Sequence, residues 1–163
     1  MKKQRKKYER PLKLWDKTRI ETEKKLLKDY GLRRKKEIWR AESILRNYRR
    51  LTRTLAAKKD KKMEKILLDK IFRMGLIEKS ADLDDVLALA VENILDRRLQ
   101  TLVFKKGLAN SPKQARQFIV HGHIALDGRR IRWPSTLVRK GEEKNISFYN
   151  KSKLRVGEKV EKA

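Results

Sequence analysis

The side chains of this sequence that could do chemistry are mostly cationic, and they fall into two blocks. Residues 1–62 hold 25 Lys or Arg against 8 acids, net +17, and residues 97–140 hold eleven against the single acid Asp127, net +10. Between them, residues 63–96 carry 4 bases and 8 acids, net −4. In the first block Arg34, Lys35, Lys36, Arg40, Arg46, Arg49, Arg50 and Arg53 fall on one predicted helix. In the second, Arg97, Arg98, Lys105, Lys113 and Arg116 lie along a predicted helix pair, with His121, His123, Arg129, Arg130 and Arg132 at its exit. Permanent cations gathered with so few acids neutralise the phosphates of a polyanion and release its counterions, which is the electrostatic footprint of a nucleic-acid binder. An enzyme is not expected: there is no Gly-rich phosphate loop, no Ser/His/Asp set and no acid pair with an obvious base. His121 and His123 have no neighbouring Cys or paired acid, so neither metal nor cofactor is expected. With no cysteine in the chain, disulfides, thiolate zinc sites and Cys nucleophiles are excluded.

The second block is organised by local signals that each have a physical reason. From Arg98 a helical pattern runs through Leu99, Leu102, Val103 and Lys106 to Gly107, which can take the left-handed conformation that ends a helix. Ser111 offers an N-cap oxygen, Pro112 suits the first helical position, and Gln114 stands where a capping box needs it. The next helix should bury Ala115, Phe118 and Ile119 and leave Lys113, Arg116 and Gln117 away from that stripe. Gly122 closes it. Ile124 to Leu126 then reads as a strand, Asp127-Gly128 as a two-residue hairpin turn, and Arg129 to Arg132 as the returning strand. Trp133-Pro134-Ser135 marks a turn, and Leu137 to Lys140 and Asn145 to Tyr149 read as two further short strands, with Ile146 and Phe148 on one face.

Upstream the chain reads as helices. Residues 1–15 form a basic arm with seven Lys or Arg, expected to be disordered when free, with Trp15 as an anchor near its end. Asp16 can cap a helix to Tyr30 with Ile20, Leu27 and Tyr30 on one side. A longer helix from about Arg34 to Ala57 carries an inward stripe of Ile38, Ala41, Leu45, Tyr48 and Leu55. A third starts at Asp60 with Met63, Leu67, Ile71 and Met74 inside, and Asp82 or Ser80 caps a fourth, which either runs into Arg97 or breaks near Ala90. Residues 151–163 read as a polar tail. The longest strictly apolar run, Val86 to Val91, is too short for a membrane span, and no signal peptide is recognisable.

The succession Arg98-Leu99, Gly107-Leu108-Ala109, Ser111, Ala115-Arg116-Gln117, His121-Gly122-His123-Ile124 and Asp127-Gly128 resembles the "S-four" RNA-binding domain. Departures are Gln100 where the family usually has an acid, Pro112 where it often has a base, and Asp127 where it has Asn. Further upstream, Tyr30-Gly31-Leu32-Arg33 and Lys36-Glu37-Ile38-Trp39-Arg40-Ala41-Glu42 are similar to the archaeal and eukaryotic branch of the small-subunit ribosomal proteins that carry this domain, most like an archaeal member. The resemblance implies an α+β fold: a helical region over 16–96, then over 97–150 two helices packed on a short antiparallel sheet. It also implies a structural protein of the small ribosomal subunit, in the cytoplasm, that binds small-subunit rRNA at a multi-helix junction in its 5′ region. Such a protein nucleates assembly, supports translational accuracy and neighbours the small-subunit proteins three and five. No membrane or small-molecule substrate is implied. The competing reading is a free-standing RNA-binding stress or quality-control factor with the same domain, against which the long basic helix and the match around Tyr30 to Glu42 both count.

Overall fold

In a computed structural model, residues 6–152 are described, and they form two compact units that divide between Leu95 and Asp96. The first five residues of the arm and the tail from 153 onward, with the expectations attached to them, lie outside the described residues.

The first unit is helical: α1 Lys17–Asp29, α2 Lys35–Lys58, α3 Lys61–Arg73, α4 Leu83–Ala88 and α5 Val91–Asp96, whose last residue crosses the division. Helix α2 is its centre and packs against α1, α3 and α4. Ile38, Ala41, Leu45 and Tyr48 are buried as the spacing predicts, and Thr52 fills the gap before the half-buried Leu55. A threonine can stand in an apolar stripe here because its hydroxyl donates to the Tyr48 carbonyl at 3.0 Å. The Tyr48 hydroxyl in turn donates to Met74 Sδ at 3.0 Å, and burial pushes its pKa up.

Asp16 caps α1 by accepting from the Arg19 N–H at 3.4 Å. A 2.7 Å hydrogen bond from the Thr18 hydroxyl, then that backbone bond, hold its carboxyl below the usual range. The buried residue of α1 is Glu23, 2% exposed, on the same stripe as Ile20, Leu27 and Tyr30. Asp60 caps α3 by accepting from the Lys62 and Met63 N–H groups at 3.1 and 3.3 Å. Met63, expected inside, lies in the first turn of α3 and is 49% exposed; the inward stripe begins only at Leu67 and Ile71.

Asp82 and Asp85 form a reciprocal capping box at the start of α4. The pattern from Asp82 does not run into Arg97. It breaks at Leu89, whose ψ of 136° is extended, and at Ala90, whose N–H donates to Asn93 Oδ1 at 2.9 Å. Two expectations for the arm also change. Trp15, expected as an anchor, is 90% exposed among the described residues. Tyr8 and Glu9, by contrast, sit on α2: the Tyr8 ring lies 5.9 Å from that of Trp39, the Glu9 N–H donates to Ser43 Oγ at 3.2 Å, and the Glu9 carboxylate pairs with Arg46.

The second unit contains α6 Leu99–Lys105, α7 Pro112–His121 and strands β1 Ile124–Leu126, β2 Arg129–Arg130 and β3 Ile146–Phe148. The sheet is antiparallel in the order β2-β1-β3, with Leu126 opposite both Arg129 and Ile146. Asp127 and Gly128 both have positive φ, 51° and 75°, as a tight hairpin turn requires. Leu99, Val103, Ala109, Ala115, Ile119, Ile124, Val138 and Ile146 make one core between helices and sheet, with Phe118 and Phe148 packed at its edge. The α+β arrangement is the one expected, except after the hairpin. Leu137 to Lys140 is not a strand, because its partner is only the two-residue lead-in to α6: Leu137 bridges Arg98, and the Val138 N–H donates to the Arg97 carbonyl at 3.0 Å. Gly141 then leads into a 3-10 turn at Glu142–Asn145.

Candidate nucleic-acid interface

Helix α7 positions the first group of cations. Ser111 Oγ accepts from the Gln114 N–H at 3.2 Å, while Gln114 Oε1 reaches past the cap residue to accept from the Asn110 N–H at 2.6 Å. This fixes the helix start. With Ala115 and Ile119 fully buried, Lys113, Gln117 and His121 are left on the solvent face, four residues apart each time. Gly122 ends the helix with φ +77°. A Cβ there would lie 3.0 Å from Arg130 Cδ and 3.3 Å from Arg132 Nε, so the missing side chain lets both arginine stems cross the helix corner. Cations beside a helix C-terminus are also favoured by its dipole. The Arg130 guanidinium lies over the Tyr149 ring, 5.6 Å from its centroid. The His121 and His123 rings are 6.1 Å apart, and His123 Nδ1 is 2.9 Å from Ser152 Oγ. Lys113, Arg129, Arg130 and Arg132 are exposed and have no acidic partner among the described residues.

The other expected contacts in this unit are engaged within the protein. Arg98 is 5% exposed at the cap of α6. Arg97 pairs with Glu143 and donates to the Val138 carbonyl at 3.0 Å. Lys105 pairs with Asp96 at 3.0 Å on the surface. Arg116 is half-buried, and its Nη1 donates to Gln100 Oε1 at 3.4 Å. Gln100, 1% exposed, uses its Nε2 to donate to the Pro112 carbonyl at 2.9 Å, so this neutral side chain ties α6 to the start of α7. Sequence patterning does not reveal that tie; the only signal is a polar residue inside an apolar helical run.

In the first unit, Arg46, Arg49, Arg50 and Arg53 line an open groove of about 550 Å³ together with Glu42 and Leu45. Their spacing of three, one and three puts them along one side of α2. Arg49 Nη2 donates to the Leu89 carbonyl at 2.6 Å, filling the acceptor that the break after α4 leaves open. Burial, and then the charge of Glu23, raise the Glu42 pKa against the opposing pull of Arg46 and Arg19. Lys35 pairs with Glu23 at 2.9 Å, and Lys36 Nζ lies 5.9 Å from the Tyr8 ring centroid. Arg34, Arg40, Arg50 and Arg53 are exposed. Trp39 is half-buried and donates from Nε1 to Glu23 Oε1 at 2.9 Å. Among the described residues, no three His, Cys, Asp or Glu are grouped as a metal would need, and no helix is long and apolar enough to cross a membrane.

Two helices on a small sheet, with a cationic corner at the hairpin, define a nucleic-acid-binding domain, and residues 97–144 match the S4 domain. The likeness extends well beyond that domain. The small ribosomal subunit protein uS4 of Methanothermobacter thermautotrophicus is 48% identical over 156 residues, covering 94% of this chain and 91% of that protein. The uS4 proteins of Sulfurisphaera tokodaii and Korarchaeum cryptofilum are 50% identical over 152 residues and 46% over 162, covering 91% and 98% of this chain and 86% and 98% of their own lengths. This chain belongs to the uS4 family of small ribosomal subunit proteins.

Proposed function

We propose that this chain is a structural constituent of the small ribosomal subunit and binds small-subunit rRNA by clamping phosphates with two cationic surfaces. The observation that carries this reading is the pair of exposed Arg130 and Arg132 beside Gly122 in an S4 domain, with exposed Arg129 in the same strand segment and exposed Lys113 on α7, none of them with an acidic partner among the described residues. Arg50 and Arg53, which line the groove along α2, supply the second surface, with exposed Arg34 and Arg40 at and near the start of the helix. Duplex RNA hides its base edges in a deep, narrow groove, so selectivity for a folded RNA comes from the spacing of these charges. The family resemblance supports a site at a multi-helix junction in the 5′ region of the rRNA, next to proteins three and five. It likewise supports early action in assembly, an influence on decoding accuracy, a cytoplasmic location and the absence of catalytic chemistry. The names of the relatives, which match over most of their length, favour this over a free-standing quality-control factor.

The test is binding to a transcript of the small-subunit rRNA 5′ domain, in competition with duplex DNA at matched salt. With about six to ten phosphates neutralised, log affinity should fall with log salt at a slope of roughly −5 to −9, and the transcript should win. A flat titration, or equal binding to DNA, would overturn the reading.

A further inference from the structure

Trp133 is 70% exposed, and the cationic corner does not account for it. A lone apolar side chain on a surface carries no meaning by itself; here its mounting and its neighbours supply one. The Trp133 carbonyl accepts twice from Thr136, from the hydroxyl at 2.9 Å and from the N–H at 3.3 Å. The Thr136 carbonyl accepts from the Leu99 N–H at 2.8 Å, which fastens the turn to the start of α6. Two residues on, Val138 is 1% exposed in the core, and Pro134 fixes a backbone angle directly after the tryptophan. The turn is thus held at both ends while the indole covers little of its own protein. A rigid aromatic on a fixed backbone gives up only two side-chain torsions when something stacks on it.

The neighbours select the occupant. Arg129, Arg130 and Arg132 are exposed just before Trp133, and no acid lies between Arg129 and Lys140. An apolar protein face would have to desolvate or displace these charges. An unpaired nucleotide satisfies both features, with a base for the indole and phosphates for the guanidinium groups. We propose that Trp133 is a stacking platform for one unpaired base of the RNA held at this corner, which makes the recognition partly single-stranded rather than wholly a matter of duplex backbone. This rests on the rRNA-binding reading above.

The test compares Trp133→Ala, Trp133→Leu and Trp133→Phe with wild type on the 5′-domain transcript across a salt series. Stacking on an aromatic side chain is worth enough that W133A and W133L should bind about five- to 150-fold more weakly. W133F should keep most of the affinity, and all three should keep the wild-type salt slope, because stacking releases no counterions. The part of the tryptophan emission that W133F removes should be quenched when RNA binds. Wild-type affinity in W133A, equal affinity in W133L and W133F, or unquenched emission overturns the platform and leaves the phosphate clamp standing. Failure of the wild-type protein to bind the transcript overturns the clamp as well, so the two failures are distinguishable.

Discussion

Removing the Glu23 carboxylate tests whether a buried charge organises the first unit. Its side chain is 3% exposed, accepts from Trp39 Nε1 at 2.9 Å, and pairs with Lys35 at 2.9 Å and Arg19 at 3.5 Å. The two cations are 38% and 23% exposed, so water recovers much of what they lose and each pair contributes at most about 1 kcal/mol. The indole N–H is different. It donates to an ionised acceptor in a part-buried position, a bond of about 1.5–3 kcal/mol, and Glu23→Ala leaves it without that partner. We therefore expect Glu23→Ala to cost about 2–4 kcal/mol, whereas Glu23→Gln, which keeps an oxygen for Trp39, should cost about 1 kcal/mol. Urea unfolding should show the difference as a lower midpoint at unchanged slope. A double-mutant cycle of Glu23→Ala with Trp39→Phe isolates the shared term, expected at about 1.5–3 kcal/mol. Equal losses in the Ala and Gln variants, or a coupling near zero, would refute the hydrogen bond as the anchor and leave Glu23 held by its ion pairs with Lys35 and Arg19.

Four further outcomes follow from the same structure. Gly122→Ala puts a side chain at φ +77° and pushes on Arg130 and Arg132, so it should cost about 1–2 kcal/mol in a thermal melt and also weaken RNA binding. Phe118→Ala should cost less than the roughly 3–5 kcal/mol of a fully buried phenylalanine, because Phe118 packs only at the core edge against Phe148 and His123. Arg116→Ala should lower both melting temperature and RNA affinity, since the side chain bonds to Gln100; an effect on binding alone would place it fully on the RNA face. Glu42 has a raised pKa, so its contribution to stability is present below its ordinary value of 4.5 and is lost as pH rises through the folded-state value. Glu42→Gln should therefore melt higher than wild type at pH 7, with the gain vanishing toward pH 4. A gain that persists at low pH would show that charge is not its cause.

Where a residue type forces a backbone conformation, sequence reasoning succeeded: the Ser111 cap, the Gly122 stop, the Asp127-Gly128 turn and the inward stripe of α2 are all present. It failed where a polar side chain takes an apolar position. Glu23 completes the spacing Ile20, Glu23, Leu27, Tyr30, so the signal existed, but its carboxylate is held by a hydrogen bond from Trp39 and an ion pair with Lys35 from another helix, which no local pattern records. The cationic surface divides in the same way. Charge density located the cluster, yet it could not separate Arg129 and Arg132, which stay exposed, from Arg97, whose partner Glu143 lies far along the chain. Trp15, expected as an anchor of the arm, and Met63, expected inside from its spacing with Leu67 and Ile71, both stand at the surface.

The tie made by Gln100 has a consequence for how the protein can be handled. Ionic attraction reaches about 10 Å in 0.1 M salt and about 3 Å in 1 M, so a concentrated salt wash detaches bound RNA phosphates. The bond from Gln100 to the Pro112 carbonyl has no charge on either side and is shielded from solvent, so the same wash leaves the junction of α6 and α7 closed. An acid at position 100 would have made that junction sensitive to salt and to mild acid. With glutamine there, the domain can be stripped of nucleic acid on a column in molar salt and returned to low salt with its helix pair still set.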